Sequence, residues 1–507
     1  GVTGSGKTEV YFSAIARTLA QGRSALLLVP EISLTPQTYA RFAGHFPGVS
    51  LWHSKMTQAS REEEWWRIRN QQRPLVIGPR SALFAPVPRL GLIILDEEHD
   101  GSFKQNNSPR YQTRVAARKR AELEGAVLVL GSATPSQESY EAAGRGELQL
   151  LQLTERYGGT PLPEVRIVDL NAEVRERKQW VIVSRALETE MEETLGRGDQ
   201  VLLFLNRRGF ATFIHCKRCQ EIMRCPTCQV ALVYHLREKK VLCHYCEHQV
   251  DPPKNCPVCH SEGLLYHGTG TERVAAWAQE RFPGRQVIRM DSDTMKREED
   301  YLAVYQAFSR GEGDILVGTQ MVVKGHDFPR LALVGVIAAD ASLNFPDFRG
   351  AERTFQLIAQ VAGRAGRREK RGRVLVQTFN PEHFVLKCAA RHDYQAFASQ
   401  EAQHRLETGY PPFAHLLRVV ISSLEDPAPA EKEAGAWETF LAGVPGISVL
   451  GPAVCPIPVV KGWHRRHFLL KVPRERNLPE LVSLLQPRLL IREKLRVILD
   501  VDPGQML

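Results

Sequence analysis

No stretch of this sequence approaches the roughly 20 consecutive apolar residues that a membrane-spanning helix needs, so no bilayer crossing and no membrane partner are expected. No signal peptide is expected, and the sequence given opens on Gly1 rather than on a methionine. Cysteine is confined almost entirely to one window. Eight of the ten stand in four C-x-x-C pairs between residues 214 and 262, and Cys388 and Cys455, which read as ordinary buried thiols, lie elsewhere. That distribution excludes the disulfide framework of a secreted protein and points to metal binding in a reducing cytosol. The same window has few apolar residues and cannot build a core of its own. No internal repeat occurs beyond the paired cysteines. At 507 residues the chain is too long for one core, which suggests about three or four domains. A formal charge of +9 suits a phosphate-backbone partner, although charge by itself identifies none.

What the sequence does contain is alternation. Up to residue 153, apolar strands at 25–29, 75–77, 92–95 and 127–130 alternate with helical stretches, which predicts a doubly wound α/β sheet. The Gly- and Pro-rich stretch 158–163 reads as a linker. A second α/β block spans 154–380, with strands expected at 201–205, 287–290, 315–317, 333–338 and 373–378, and the cysteine window 214–262 interrupts it. Residues 381–507, which include Tyr410-Pro411-Pro412, read as a small separate α+β domain.

The opening residues Gly1, Val2, Thr3, Gly4, Ser5, Gly6, Lys7 and Thr8 fit G-x-x-x-x-G-K-[ST]. Glycines let such a loop curl so that its N–H groups face a β-phosphate, backed by a helix N-terminus. Lys7 can reach the β- and γ-phosphates and Thr8 can ligate Mg²⁺. This motif normally follows a strand, so the sequence is expected to be a fragment. Downstream, the apolar run 92–95 ends in Asp96, Glu97, Glu98 and His99. Asp96 is placed to hold Mg²⁺ through its water shell, and Glu97 to orient and deprotonate the attacking water. Together the two motifs predict an ATPase.

Three further elements separate a translocating motor from other P-loop enzymes. Gly131-Ser132-Ala133-Thr134-Pro135 follows a strand, and its hydroxyls are expected beside the acids. Gln360 opens Gln360-Val361-Ala362-Gly363-Arg364-Ala365-Gly366-Arg367. The spacing of three predicts Arg364 and Arg367 on one helical face, where a guanidinium can reach the γ-phosphate as an arginine finger. Lastly, Gly318-Thr319-Gln320 and Lys324-Gly325-His326-Asp327 form a loop that can face both ATP and DNA. In this order the segments resemble the motifs of superfamily 2 helicases on two RecA-like lobes. Residues 1–11, Arg80-Ser81-Ala82-Leu83-Phe84, Asp96 to Asp100, Lys324 to Pro329, His267 to Arg273 and Asp500-Val501-Asp502-Pro503 give a narrower resemblance to the PriA (primosomal protein N′) family. The resemblance covers essentially all 507 residues, and the cysteine insertion in the second lobe is its most specific part. It implies an ATP-dependent 3′→5′ DNA helicase of replication restart and primosome assembly. It further implies a bacterial cytoplasmic, nucleoid-associated protein lacking its N-terminal DNA-binding region here. Its partners would be single-stranded and forked DNA, single-strand binding protein and primosome proteins.

The cysteine pairs are Cys216/Cys219, Cys225/Cys228, Cys243/Cys246 and Cys256/Cys259. Each C-x-x-C can give two thiolates to a tetrahedral Zn²⁺, so eight make two closed, structural Zn²⁺ sites. The 14 residues between Cys228 and Cys243 allow the hairpin of a zinc ribbon, which groups the inner four and leaves the outer four. The resemblance implies the same nested scheme. His215, His244, His248 and His260 flank the sites.

For DNA, the loop after the acids carries Phe103, Lys104, Arg110, Tyr111 and Arg114, a mixture suited to stacking on bases and gripping phosphates. It resembles the family's aromatic-rich loop, although Pro109 stands where a Trp is common. Phe103, Arg110, Tyr111 and Lys324 are therefore the expected DNA contacts, against the plainer alternative that the aromatics pack inward. Lys461-Gly462-Trp463-His464-Arg465-Arg466-His467 is a second basic-aromatic cluster, for DNA, an acidic tail or solvent. Two other functions compete: an RNA helicase, and a zinc-stabilised adaptor whose ATPase is dispensable.

Overall fold

The computed structural model describes the chain apart from residues 1, 3, 31–35, 54–55, 157–158, 160, 179–180, 206–213, 217–222, 228–229, 236–239, 244, 263, 267–269, 292–293, 296–297, 320–321, 323–327, 346, 367–371 and 507. Among the described residues, no helix is long and apolar enough to cross a membrane.

The first lobe is built on β1 (Ser24–Leu28), β2 (Val49–Leu51), β3 (Leu75–Gly78), β4 (Leu90–Asp96) and β5 (Val127–Gly131), in the order β2-β3-β1-β4-β5. Every pairing in it is parallel. Because side chains alternate along a strand, Leu26 and Leu28 of β1 enter the core on one face while Ala25 and Leu27 enter the core on the other. Coverage on both faces explains why these strands read as unbroken apolar runs.

The second lobe begins with β6 (Glu164–Asp169) and β7 (Gln200–Phe204). Five short strands follow: β8 (Ile214–Cys216), β9 (Val233–His235), β10 (Lys240–Leu242), β11 (Gln249–Val250) and β12 (Leu264–Tyr266). The lobe resumes with β13 (Val287–Met290), β14 (Ile315–Gly318), β15 (Leu331–Val336) and β16 (Arg373–Thr378), giving a six-stranded sheet ordered β13-β14-β7-β15-β16-β6. It too is parallel throughout. Two parallel sheets of this kind, each covered by helices, are RecA-like lobes. The inserted strands form a three-stranded ribbon, β11-β10-β9, and a two-stranded pair, β12-β8.

The chain ends in an antiparallel sheet of β17 (Ala414–Leu424), β18 (Ser448–Val460), β19 (Trp463–Pro473), β20 (Leu490–Ile491) and β21 (Leu495–Val501). Helices Ala428–Ala442 and Leu478–Leu485 cover its apolar face, with Trp437 fully buried beneath them. The cysteine insertion packs against its neighbours. Ile214, Leu232, Val241 and Tyr245 share one core with Phe348 of the second lobe and with Tyr410, Leu416, Leu450 and Leu469 near and in the C-terminal sheet.

The lobes meet through helix Gln137–Gly144 of the first and helices Gly350–Ala362 and Tyr394–Thr408 beyond the linker. Gln137 N donates to Glu352 Oε1 at 2.8 Å, Tyr394 Oη donates to the Pro135 carbonyl at 2.9 Å, and Arg349 pairs with Glu138 at 2.5 Å. These bonds set the width of the cleft in which the candidate site lies.

Candidate functional site

The P-loop turns on Gly4 (φ 81°) and Gly6 (φ 85°), left-handed conformations that side-chain-bearing residues rarely adopt. Gly6 caps helix Lys7–Ala20, so the helix N-terminus opens toward the loop. Val2 N donates to the Leu153 carbonyl at 3.0 Å, and Ser5 N donates to the Val2 carbonyl at 3.1 Å. Thr8 lies half-buried in the first helical turn. Ser5 Oγ is buried with no hydrogen-bond partner among the described residues. An unsatisfied hydroxyl at a helix N-terminus lined with N–H groups is what an anion-binding loop leaves for its ligand. Gly1 and Thr3 lie outside the described residues.

At the end of β4, Asp96 and Glu97 face this loop. Lys7 Nζ lies 2.8 Å from Glu97 Oε1 and 3.9 Å from Asp96 Oδ1. Glu97 holds a left-handed backbone (φ 51°), a strained conformation for glutamate of the sort that clusters at functional sites. Burial raises the Glu97 carboxyl, but Lys7, then His99 and Arg364, pull harder, and the balance lies below its ordinary value. Burial lifts Asp96, with Lys7 opposing and Glu97 adding, so its net shift is upward. Burial lowers Lys7, yet Glu97 and Asp96 more than offset it, and its amine is held above the usual value. An ammonium group, two carboxylates and a helix N-terminus make a set that fits a magnesium-bound nucleoside triphosphate.

His99 joins the two lobes. Its Nδ1 lies 2.7 Å from Ser132 Oγ, and its Nε2 is 2.9 Å from Gln360 Nε2 on helix Gly350–Ala362. Ser132 Oγ also accepts from Thr134 N at 2.9 Å. The Ser132 hydroxyl thus touches His99, two residues past Glu97. Glu98, 2% exposed, accepts from Ser136 N at 2.6 Å, Ser139 Oγ at 3.0 Å and Arg114 Nη1 at 3.1 Å. Sequence reasoning gave Glu98 no role, because its partners are 16 to 41 positions away.

The expectation of two arginines on one helical face is corrected. The helix ends at Ala362, and Arg364 lies in the turn after it, its N donating to the Val361 carbonyl at 3.0 Å. Arg364 is still close enough to Glu97 to draw that carboxyl down. Arg367 and Lys324 lie outside the described residues.

The loop after the acids is also corrected. Phe103 is 1% exposed and sits in the first lobe's core, so it is not a surface DNA contact. Lys104 is 3% exposed and spends its charge on Asp500, 2.8 Å away. Arg114 is tied to Glu98. Strand-like pairing of Lys104 with Gln112, and of Gln105 N with the Tyr111 carbonyl at 2.9 Å, closes the loop and turns those side chains inward. Arg110 and Tyr111 remain partly exposed, and Tyr111 meets Phe84 edge-on at 5.2 Å, with Phe84 60% exposed. Phe84 was missed because Arg80 to Phe84 read as a family hallmark rather than a surface. In the second basic-aromatic cluster, His467 is fully buried and Arg466 pairs with Glu247 and Glu431.

In the insertion, Cys216, Cys256 and Cys259 form one group, and Cys225, Cys243 and Cys246 another, with thiols in each group within 4.8 Å of one another. Cys219 and Cys228 lie outside the described residues. Tyr245 N donates to Cys243 Sγ and Val258 N to Cys256 Sγ, both at 3.4 Å. Glu247 (φ 62°) and His260 (φ 56°) close the two turns in the same left-handed way. Repeated N–H···S knuckles converging on clustered thiols fit zinc.

Four family models match the chain: DEAD/DEAH box helicase over residues 1–143, helicase conserved C-terminal domain over 264–369, PriA DNA helicase Cys-rich region domain over 225–250, and primosomal protein N C-terminal domain over 406–504. The chain is similar to proteins named replication restart protein PriA. Identity is 42% with that of Bacillus subtilis, covering 100% of this chain and 64% of the relative. For Synechocystis it is 41%, covering 99% and 62%. For Treponema pallidum it is 42%, covering 93% and 71%. The chain therefore spans somewhat under two thirds of the first two relatives, and its similarity runs through lobes, cysteine region and C-terminal sheet alike. It belongs to the PriA family of replication restart helicases.

Proposed function

We propose that this chain is the motor of an ATP-dependent DNA helicase that works 3′→5′ on stalled, forked DNA and helps to reload the replication machinery in the bacterial cytoplasm. Single-stranded and forked DNA, single-strand binding protein and primosome proteins are its proposed partners. Two structural Zn²⁺ ions, held by Cys225/Cys228/Cys243/Cys246 and by Cys216/Cys219/Cys256/Cys259, complete the cofactor set beside ATP and Mg²⁺.

The observation that carries this reading is the Lys7–Glu97 pair in a cleft whose two walls are joined by the His99–Gln360 contact. When bound, the nucleotide supplies the phosphoanhydride bond whose cleavage drives the motor. Lys7 leaves Glu97 for the β- and γ-phosphates, which frees the Glu97 carboxylate to orient a water and take its proton. Asp96 would hold a magnesium ion through its water shell. Arg364, from the second lobe, meets the charge that develops on the transferred group. Because Gln360 and Arg364 lie close together in sequence, a change of contact at the phosphates alters the Gln360–His99 contact, and the lobes shift relative to each other. Arg110, Tyr111 and Phe84 offer the exposed surface on which DNA bases can stack.

The test is ATP hydrolysis and unwinding by the chain and by Lys7→Ala. Hydrolysis stimulated by single-stranded DNA, unwinding of a duplex with a 3′ tail, and loss of both in Lys7→Ala are expected. Hydrolysis indifferent to DNA, or undiminished in Lys7→Ala, refutes the motor. Unwinding only from a 5′ tail refutes the polarity.

A further inference from the structure

Helix Lys7–Ala20 carries one buried polar side chain that a phosphate-binding loop does not require. Tyr11 follows Lys7 by four residues, so it projects from the same helix face. It is 4% exposed, and its hydroxyl donates to Asp96 Oδ1 at 2.8 Å. A buried tyrosine needs some acceptor for its O–H, and any carbonyl would serve. Here the acceptor is the carboxylate at the end of β4.

The first lobe makes room for this contact at a specific place. Asp96 of β4 pairs with Gly131 at the end of β5. A Cβ on Gly131 would lie 1.7 Å from Tyr11 Oη and 2.8 Å from Tyr11 Cζ, so only glycine lets the phenol lie there. Gly131 cannot easily yield, because its carbonyl accepts from Glu98 N at 3.1 Å. The hydroxyl is thereby confined between the Asp96 carboxylate and the Gly131 backbone. Lys7, the other group near Oδ1, stands 3.9 Å from it and is bonded to Glu97 instead.

We propose that Tyr11 is a positioning residue for Asp96: its hydroxyl occupies Oδ1, fixes the rotation of the carboxylate, and leaves Oδ2 as the oxygen for the magnesium ion's water shell. The inference rests on the nucleotide reading of the cleft. It also gives Gly131 a task of its own beside the hydroxyls that follow it, since the glycine keeps the space in which the phenol aligns the acid.

A purely structural Tyr11, one of the apolar residues packed on that face of the sheet, predicts something different. Removing its hydroxyl would then weaken folding or all nucleotide binding alike, without singling out the metal. Calorimetric titration of the full chain with ADP, once in excess EDTA and once in excess Mg²⁺, separates the two, using wild type, Tyr11→Phe and Gly131→Ala. Tyr11→Phe is expected to bind metal-free ADP as wild type does while losing about tenfold of the affinity that Mg²⁺ adds, the scale of one hydrogen bond to a charged group. Gly131→Ala, which pushes the ring away from the other side, is expected to show the same selective loss. A Mg²⁺ gain retained in full by Tyr11→Phe, absent in wild type, or lost in equal proportion with metal-free affinity overturns the positioning role. Failure of the wild-type chain to bind ADP under either condition removes the nucleotide reading itself, and the inference with it.

Discussion

Arg405 offers a severe test of how the helices beyond the linker are held together. It is fully buried, and its guanidinium donates to Glu352 Oε2 at 2.8 Å, Glu401 Oε1 at 2.7 Å and the Pro411 carbonyl at 3.1 Å. Glu352 and Glu401 are 4% and 1% exposed, so neither carboxylate has water to fall back on. Arg405→Met preserves most of the volume but leaves two buried acids without their shared cation. Removing one partner of a buried pair costs about 3–5 kcal/mol, and since Glu352 keeps Arg349 at 3.8 Å, Glu401 is the carboxylate that loses its ion-pair partner. The cost depends on pH. Burial raises the Glu401 carboxyl above its ordinary value even with Arg405 opposing it, and without Arg405 it rises further. A carboxyl raised in the folded state is neutral at low pH, and its stabilising contribution is lost as pH rises through the folded value. Arg405→Met is therefore expected to lose less at pH 5 than at pH 8. The assay is urea unfolding followed by tryptophan fluorescence at both pH values. The neutral triple variant Glu352→Gln, Glu401→Gln, Arg405→Met keeps an acceptor for Gln137 N, and it is expected to recover to within about 1 kcal/mol of wild type. A single variant costing under about 1 kcal/mol, or a triple variant as damaged as the single, refutes the view that this is a balanced charge cluster.

Other outcomes follow from single sites. Phe103→Ala is expected to cost about 3–5 kcal/mol of stability, as a large core truncation does, with the fold-stimulation of hydrolysis by DNA unchanged. Tyr111→Ala is expected to raise the DNA concentration for half-maximal stimulation by about tenfold while basal hydrolysis persists, and equal loss of both would refute the coupling role. His383, whose Nδ1 caps the helix that begins at Phe384, is pushed down to about 4 by burial and then by Arg224. The unfolded chain takes up this proton near 6.5, so stability falls as pH drops from about 6.5 toward 4, by on the order of 3 kcal/mol. His383→Asn, which keeps a cap, is expected to flatten the melting curve over that window, and an unchanged slope counts against the shift. Cys225→Ser is expected to lower zinc from the proposed two ions per chain to one by elemental analysis, and two retained ions would break the nested assignment.

The sequence made the lobe architecture legible wherever burial was two-sided. Strands β1, β3 and β4 are apolar on both faces, so each announces itself as a short unbroken run. Strand β6 was not among the expected strands because it is an edge strand with exposed positions and carries Glu164 and Arg166. Strand β2 is three residues long, too short for any pattern. At the site, local motifs found Lys7, Asp96 and Glu97, since each belongs to a contiguous signature. Tyr11 and Glu98 were left without a task because their partners come from other elements. Phe103 was misassigned for a related reason. Aromatic and basic residues in a polar loop have the same composition whether they face DNA or the core, and only the pairing that closes 104 to 112 decides which way they turn.

The joint beneath the cysteine ribbon has its own consequence. Tyr245, between two thiols of one cluster, also reaches beyond it: its hydroxyl accepts from Phe348 N at 3.2 Å, and Glu247 Oε1, one residue past Cys246, accepts from Val454 N at 3.0 Å. Metal retention and the seating of the C-terminal sheet are thus two readings of one equilibrium. By reciprocity, anything that grips β18 or β19 and loosens this joint must weaken the affinity for the ion, and anything that tightens it must strengthen that affinity by the same free energy. The equilibrium share of zinc that a competing chelator takes therefore serves as a gauge of events on a surface it never touches.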